Sequence, residues 1–185
     1  MTDKIMSENV INTVLEGIRG RIPNHTKLHV ARLTEIIDTI TYLINKNNIT
    51  KDNINTPMVI EYWFARDMKF NLKNIAKLQM IFKENIIEIM KPQEYKSKII
   101  EELLADIPNH TSIYIEMEML ILSRISNLLE IEGWTAEKVN KSTPEIIRAW
   151  YNEQFDFSLL SIAKMEDALK GKIINVIDYS DQIIN

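Results

Sequence analysis

The sequence predicts an all-α protein made of two tandem repeats of a roughly four-helix unit, packed into one compact helical molecule. Three observations carry this prediction. Only 4 Gly and 5 Pro occur in 185 residues, which favours helices joined by short turns over a strand-and-turn architecture. The motif Ile-Pro-Asn-His-Thr occurs twice, at 22–26 and at 107–111. After its first copy, apolar residues recur with a helical period on one face, at Leu33, Ile36, Ile37, Ile40, Leu43 and Ile44.

A second repeated block supports the duplication. Thr-Pro, Trp, Phe, Leu and Ile-Ala-Lys of segment 56–77 recur in the same order and at the same spacing in segment 143–164. The copies of the first block are 85 residues apart and those of the second are 87 apart. The two-residue insertion therefore falls in a connection, where insertions are tolerated. The predicted repeats are 1–90 and 91–185, and residues at matching positions of the two are called equivalent below.

Each repeat is predicted to contain four helices in the same order, at 4–20, 25–47, 57–68 and 71–90, and at 94–106, 110–132, 144–155 and 158–177. Each Thr-Pro pair is expected to place Thr at the N-cap and Pro at the first helical position. Asn71 and Ser158 are expected to cap the last helix of each repeat. No alternating apolar pattern is long enough to indicate a strand.

Composition restricts the chemistry and the location of the protein. The absence of Cys excludes disulfides, thiolate catalysis and Cys-based zinc sites, and it fits a reducing compartment. The N-terminus has no apolar segment typical of a signal peptide, and no apolar run is long enough to cross a membrane. We expect a cytoplasmic protein, or a virion-associated one if it is viral. Its richness in Ile and Asn, whose codons are AT-rich, hints at a phage or a low-GC bacterium.

No catalytic, phosphate-binding or cofactor motif stands out, so we expect no enzyme and no cofactor. One pair of histidines offers an alternative. His25 and His29 are four residues apart at the start of a predicted helix, a spacing that places two metal ligands on one face. The second repeat keeps His110 but has Tyr114 at the other position, which breaks the pair. A side chain bonded to the helix-start backbone explains the retained histidine without a metal.

The tryptophans divide into two kinds. Trp63 and Trp150 are equivalent, and aromatic residues kept at matched positions of a repeat are expected to anchor the core. Trp134 has Ile49 at the equivalent position. An exposed Trp134 would be a hot spot for binding a partner, whereas a buried one would close the end of its own helical bundle. The sequence favours the buried position but leaves both open.

One stretch resembles part of a known family. Ile147, Trp150, Phe157 and Ile162 of segment 147–163, with their counterparts in the first repeat, are similar to part of the DnaD-like domains of bacterial and phage replication proteins. That family's signature, Tyr-x-x-x-Ile-x-x-x-Trp, is matched only in its second half, because Ser142 stands where Tyr is expected. The resemblance covers about twenty residues per repeat and implies a role in association with nucleic acid.

The two repeats differ in charge. Segment 14–90 holds 11 Lys and Arg against 8 Asp and Glu, a net +3, whereas segment 99–175 holds 7 against 13, a net −6. Arg66, Lys69, Lys73 and Lys77 concentrate the positive charge. Three interpretations of this charge difference stay open. The charged surfaces are solvated or face each other within one molecule, or the basic repeat of one copy contacts the acidic repeat of another. In the third, the basic half binds phosphates and the acidic half binds another protein.

From these features we expect a helical interaction or assembly protein that binds another protein or itself, such as a structural or accessory component of a phage or virus. The candidate partner-binding residues are Trp134, Arg66, Lys69, Lys73 and Lys77. The first alternative is a replication or regulatory factor whose four cations bind nucleic acid. The second is a metal-binding protein or enzyme centred on His25 and His29.

Overall fold

The computed structural model describes residues 24–52, 56–90 and 109–179, and these ranges are mostly helical, as predicted. The first predicted helix of each repeat, at 4–20 and at 94–106, lies outside them. The described elements, in chain order, are α1 (Asn24–Lys46), α2 (Met58–Phe64), α3 (Leu72–Phe82), β1 (Ile87–Ile89), α4 (Asn109–Ile131), α5 (Glu145–Tyr151), α6 (Leu159–Leu169) and β2 (Ile174–Val176).

The elements of the first half match those of the second in length. Helices α1 and α4 have 23 residues each, α2 and α5 have 7, and α3 and α6 have 11. A short 3-10 turn at Ala136–Lys138 lies between α4 and α5. The caps predicted at Asn71 and Ser158 are present, since their side chains accept hydrogen bonds from the backbone N–H of Asn74 and Ser161.

The Thr-Pro pairs work differently from the prediction. Pro57 and Pro144 are themselves the N-caps, so each helix begins one residue later than expected. The Thr143 hydroxyl accepts a hydrogen bond from Asn140 N at 3.0 Å, which ties it to the preceding loop. Thr143 therefore closes the connection that contains the insertion and does not cap α5.

The all-α prediction misses a small sheet. The last helix of each repeat was predicted to continue to residues 90 and 177, but α3 and α6 stop much earlier. Lys83 and Lys170 have positive φ, 56° and 49°, and this left-handed conformation ends a helix. The chain then forms β1 and β2, which pair antiparallel with Glu88 opposite Asn175. Three residues are too few to show an alternating apolar pattern, so the sequence does not reveal these strands. Pairing between distant segments stabilises them.

The main helix contacts join the two halves of the chain. The first long helix, α1, packs most extensively on α6, and α3 packs most extensively on α4. The strands connect the same two sets, since α1 also contacts β2 and α4 also contacts β1. One continuous apolar core results, and its fully buried side chains come from both halves, including Ile36, Ile40, Ile75, Leu78, Ile121, Ile125 and Ile162.

Candidate interaction site

The four predicted cations lie in two places: Arg66 and Lys69 in the connection between α2 and α3, and Lys73 and Lys77 on α3. Arg66 has a left-handed backbone (φ 59°) that ends α2, and Lys73 and Lys77 are one turn apart on α3. Arg66, Lys69 and Lys73 are exposed and Lys77 is partly exposed. None of the four forms an ion pair with the described part of the chain. We call this set the basic strip.

The equivalent surface of the second half has a different charge. Glu153 replaces Arg66 and keeps its left-handed backbone (φ 57°), and Asp156 replaces Lys69. Leu160 stands at the position of Lys73, while Lys164 is retained at that of Lys77. Asp156 forms no salt bridge with the residues that the structure describes, and it accepts hydrogen bonds from Ser158, whose hydroxyl lies at 3.0 Å. Hydrogen bonds, first from Ser161 and then from Ser158, lower its pKa, which keeps the carboxylate ionised.

Trp134 is partly buried at the end of α4, where it lines a shallow pocket of about 370 Å³. Trp150 and Tyr151 of α5 also line the pocket, and Glu130 and Lys138 contribute charged groups. We call this the Trp134 pocket. None of the four basic-strip residues lines it, so the structure places the predicted candidates in two separate locations.

Hydrogen bonds fix the walls of the Trp134 pocket. The Tyr151 hydroxyl donates to the Trp134 carbonyl at 3.0 Å, and the Lys138 ammonium donates to the Gly133 carbonyl at 2.6 Å. Gly133 permits the turn, because its φ of +70° favours a residue without Cβ. Burial, followed by the negative charge of Glu137, raises the pKa of Tyr151, so its hydroxyl keeps the proton that it donates.

Packing holds Trp150 from behind. Its ring meets Phe155 edge to face at 5.6 Å, and Phe155 meets Phe157 in the same way at 5.2 Å. Edge-to-face contacts stabilise aromatic pairs beyond the area they bury. The equivalent Trp63 of the first half meets Phe70 at 6.4 Å, and within the described residues no third ring joins this pair. The second half thus holds its tryptophan in a larger aromatic cluster.

A charged pair lies buried inside the molecule, which sequence reasoning did not identify. Arg32 of α1 donates from Nη2 to Glu166 of α6 at 2.5 Å, and both side chains are almost fully buried. The other carboxylate oxygen of Glu166 accepts from the backbone N–H of Ile173 and Ile174 at 2.7 and 3.0 Å. The sequence separation of 134 residues explains the omission, because only tertiary packing brings the two together. The available signal was a pair of charge differences between equivalent residues, Arg32 against Met117 and Glu166 against Gln79.

His29 lies one turn before Arg32 on α1 and is partly buried. Burial and the nearby Arg32 charge lower its pKa, while a hydrogen bond with the Leu159 backbone acts in the opposite direction. The His25 side chain lies outside the residues described at side-chain level. The described residues contain no group of three or more His, Cys, Asp or Glu side chains suited to holding a metal ion. The proposed histidine metal pair stays a prediction.

A second depression, of about 460 Å³, is lined by Lys51, Thr56, Glu61, Phe64 and Ala65 of the first half. Phe64 is the equivalent of Tyr151, so this depression lies beside α2 much as the Trp134 pocket lies beside α5. It contains one aromatic side chain, whereas the Trp134 pocket contains three.

Within the described ranges, no helix has the length and apolar character needed to cross a bilayer.

Comparisons with protein-family models, curated proteins and solved structures found no match to this chain. The partial resemblance of segment 147–163 to DnaD-like domains therefore assigns no family. The basic strip and the Trp134 pocket, each of which includes several positions where the two halves differ, provide the basis for a functional proposal.

Proposed function

We propose that the chain is a non-enzymatic assembly protein that binds copies of itself head to tail. In this proposal, the basic strip of one molecule contacts the acidic second half of the next. The observation that carries it is that four cations, three exposed and one partly exposed, form no ion pairs among the described residues, in a chain whose other half has a net charge of −6 over segment 99–175. Opposite charges that face each other across an interface guide association and fix its orientation.

The proposal includes a two-unit architecture, in which the halves relate to each other like subunits of a homodimer. Two features support it. Left-handed residues fall at three equivalent pairs of positions, namely Asn48 and Gly133, Arg66 and Glu153, and Lys83 and Lys170. The strand register also pairs equivalent residues, because Glu88 lies opposite Asn175.

Two further hydrogen bonds follow the same relation. Met90 N donates to Ile173 O at 2.8 Å, and Ile177 N donates to Ile86 O at 2.9 Å. Ile177 is equivalent to Met90, and Ile173 is equivalent to Ile86. Each half thus makes the same bond to the other, as subunits do about a two-fold axis.

Such an architecture gives the charge difference a consequence for assembly. Two identical units would present the same surface twice, and like charges would repel. When one surface is basic and its equivalent is acidic, each molecule carries both sides of one contact. Contacts between two different surfaces propagate, so they close into rings or continue as filaments.

Sedimentation velocity at increasing salt concentration tests this function. The wild-type chain is expected to sediment as species larger than one chain at 0.05 M NaCl and as a single chain at 1 M, because the screening length falls to about 3 Å at 1 M. The Lys73→Glu/Lys77→Glu variant is expected to sediment as a single chain at both. Lys164→Glu is the matched control, since Lys164 is equivalent to Lys77 and equally partly exposed. A wild-type chain that stays single at low salt contradicts the proposal.

Binding of nucleic acid is the second candidate function. The observation in its favour is that Lys69, Lys73 and Lys77 follow one another at four-residue intervals, with no ion pair to a described residue. Fluorescence anisotropy with labelled duplex and single-stranded DNA and RNA tests it. Binding that weakens with salt, and whose dependence on log salt becomes shallower by about 0.7–0.9 per phosphate contact removed by Lys73→Glu or Lys77→Glu, would favour this candidate.

A further inference from the structure

The Trp134 pocket differs in chemistry from the equivalent place in the first half. Trp134 replaces Ile49, Tyr151 replaces Phe64 and Glu130 replaces Asn45. Each change adds an aromatic face, a hydroxyl or a negative charge. The aromatic residue common to both halves, Trp150 or Trp63, is explained by packing. The added groups line the pocket, so packing shared by the two halves does not explain them.

This combination is suited to a cationic side chain. Aromatic faces attract cations through the negative charge above their rings, and a carboxylate adds direct charge attraction. Trp134, Trp150 and Tyr151 supply the rings, and Leu129 supplies an apolar surface for a methylene chain. Glu130 is exposed at the same lining and is available to the end of such a chain.

The charges around the pocket favour the same occupant. Glu130 and Lys138 are the charged residues of the lining. Two further acids, Glu132 and Glu137, are exposed and are sequence neighbours of the lining residues Gly133 and Lys138. Lys138 is bound to the Gly133 carbonyl at 2.6 Å, which holds its ammonium at the wall. A hydrogen bond from Thr135 lowers the pKa of Glu137, so this carboxylate stays charged. The lining itself holds one acid and one base, and segment 126–151, which contains the lining, holds four acids against three bases.

We propose that the Trp134 pocket receives a lysine or arginine side chain from the basic strip of a second copy of this chain. This inference rests on the proposed head-to-tail function and names its acceptor. The charge complementarity of the strip and the pocket supports a second copy as the occupant, because one chain carries both. Lys73 is the exposed strip residue that lies on a helix, α3, and it forms no ion pair within the described residues, so the test targets it.

Two variants probe the pocket in the full chain. Glu130→Lys reverses a charge at an exposed residue, and Trp134→Ile installs the residue of the equivalent position, which the fold already accommodates as Ile49. Each is expected to weaken the association measured by sedimentation by about tenfold or more, as for a hot-spot residue. Asp167→Lys makes the same charge change as Glu130→Lys, in the same half, at an exposed residue of α6 outside the pocket. It is expected to weaken association far less.

A mixing experiment tests the direction of the contact. The Lys73→Glu/Lys77→Glu variant keeps an intact pocket, and the Trp134→Ile variant keeps an intact strip. Alone, each is expected to sediment as a single chain. Mixed in equal amounts, they are expected to form two-chain complexes that grow no further, because one contact is restored and the other is not.

The outcomes separate the two proposals. If the wild-type chain associates and loses association on Lys73→Glu/Lys77→Glu but not on Glu130→Lys or Trp134→Ile, the pocket is not the acceptor and head-to-tail assembly stands. If the wild-type chain stays single at low salt, both proposals fail. If Trp134→Ile lowers the thermal unfolding midpoint, Glu130→Lys alone decides the role of the pocket. A mixture that stays single while wild type associates contradicts the proposed contact.

Discussion

The two principal helix crossings of this molecule are equivalent in sequence but differ in chemistry. Where α1 meets α6, Arg32 and Glu166 form a buried ion pair. Where α3 meets α4, the equivalent residues are Gln79 and Met117, which are also buried but carry no charge. The acid and the base thus occur together at one crossing and are both absent from the other, one on each of two contacting helices. This paired difference indicates that charge balance at a buried contact constrains both positions.

The two crossings share one function despite this difference. The Gln79 side-chain oxygen accepts from the backbone N–H of Ile86 and Ile87 at 3.0 and 3.1 Å, as Glu166 does from Ile173 and Ile174. Each side chain thus satisfies the donors where the chain turns from α3 or α6 toward its strand. The second carboxylate oxygen of Glu166 has no such task and binds Arg32. The ion pair is therefore an addition to a hydrogen-bond arrangement present in both halves.

Removal of one member of the ion pair is expected to have the largest effect on stability. Glu166→Gln leaves Arg32 buried without a carboxylate and should lower the free energy of unfolding by about 3–5 kcal/mol. Arg32→Met should cost less, because Glu166 keeps two backbone hydrogen bonds. The Arg32→Met/Glu166→Gln double variant reproduces the chemistry of the other crossing and should recover most of the loss. Urea unfolding of the four proteins measures the coupling. Additive losses would show that the pair has no coupling to explain.

A smaller effect is expected at the position that follows each left-handed lysine. A Cβ at Gly171 would lie 2.6 Å from Leu128 Cδ2, so Gly171→Ala should lower the free energy of unfolding by about 1–3 kcal/mol through overpacking. The equivalent residue, Glu84, forms an ion pair with the exposed Lys46 at 2.7 Å. Glu84→Ala is the matched control and should cost less than Gly171→Ala. Thermal unfolding of both variants distinguishes them, and equal losses would show that Leu128 yields to the added methyl group.

The smallest effects concern the titration of His29 and Tyr114, which occupy equivalent positions. Burial and Arg32 lower the pKa of His29. The unfolded chain therefore binds a proton more readily, so stability is full above about pH 6.5 and decreases as the pH falls through the folded pKa. NMR titration should place the midpoint of His29 below 6.5 and move it upward in Arg32→Met. An unchanged midpoint would show that Arg32 has no electrostatic effect on His29.

The pKa of Tyr114 is shifted upward, whereas that of His29 is shifted downward. Its hydroxyl donates a hydrogen bond to the Glu118 carboxylate, and this bond, with burial, raises the pKa of Tyr114 to about 12. Absorbance titration should show one tyrosine ionising near that value, and Glu118→Gln should lower it toward 10. The equivalent of Glu118 is Leu33, so His29 has no such neighbour on its own helix. A Tyr114 pKa unaffected by Glu118→Gln would contradict the assigned bond.

The two groups of candidate residues differ in how far the sequence revealed them. The basic strip was readable from sequence, because four cations within twelve residues stand out against the acids of the other half. The Trp134 pocket was readable only in part. Trp134 was identified by its difference from Ile49. Glu130 and Tyr151 were identified only from the structure, in which α4, its following turn and α5 come together to form the pocket. A pocket depends on contacts between segments, and local pattern does not encode those.

The sequence by itself determined the order and starts of the described helices, to within a residue, and the caps at Asn71 and Ser158, because these depend on hydrogen bonds and side-chain periods within a few residues. Only the tertiary structure decided which helices meet. An apolar face on α1 specifies burial but not a partner helix, so periodicity alone leaves both α6 and α3 open as partners. The Arg32–Glu166 pair distinguishes the two choices, because packing α1 on α3 would bury Arg32 beside the neutral Gln79. The two-stranded sheet is likewise a product of that packing, since strands of three residues persist only when a distant segment supplies their hydrogen bonds.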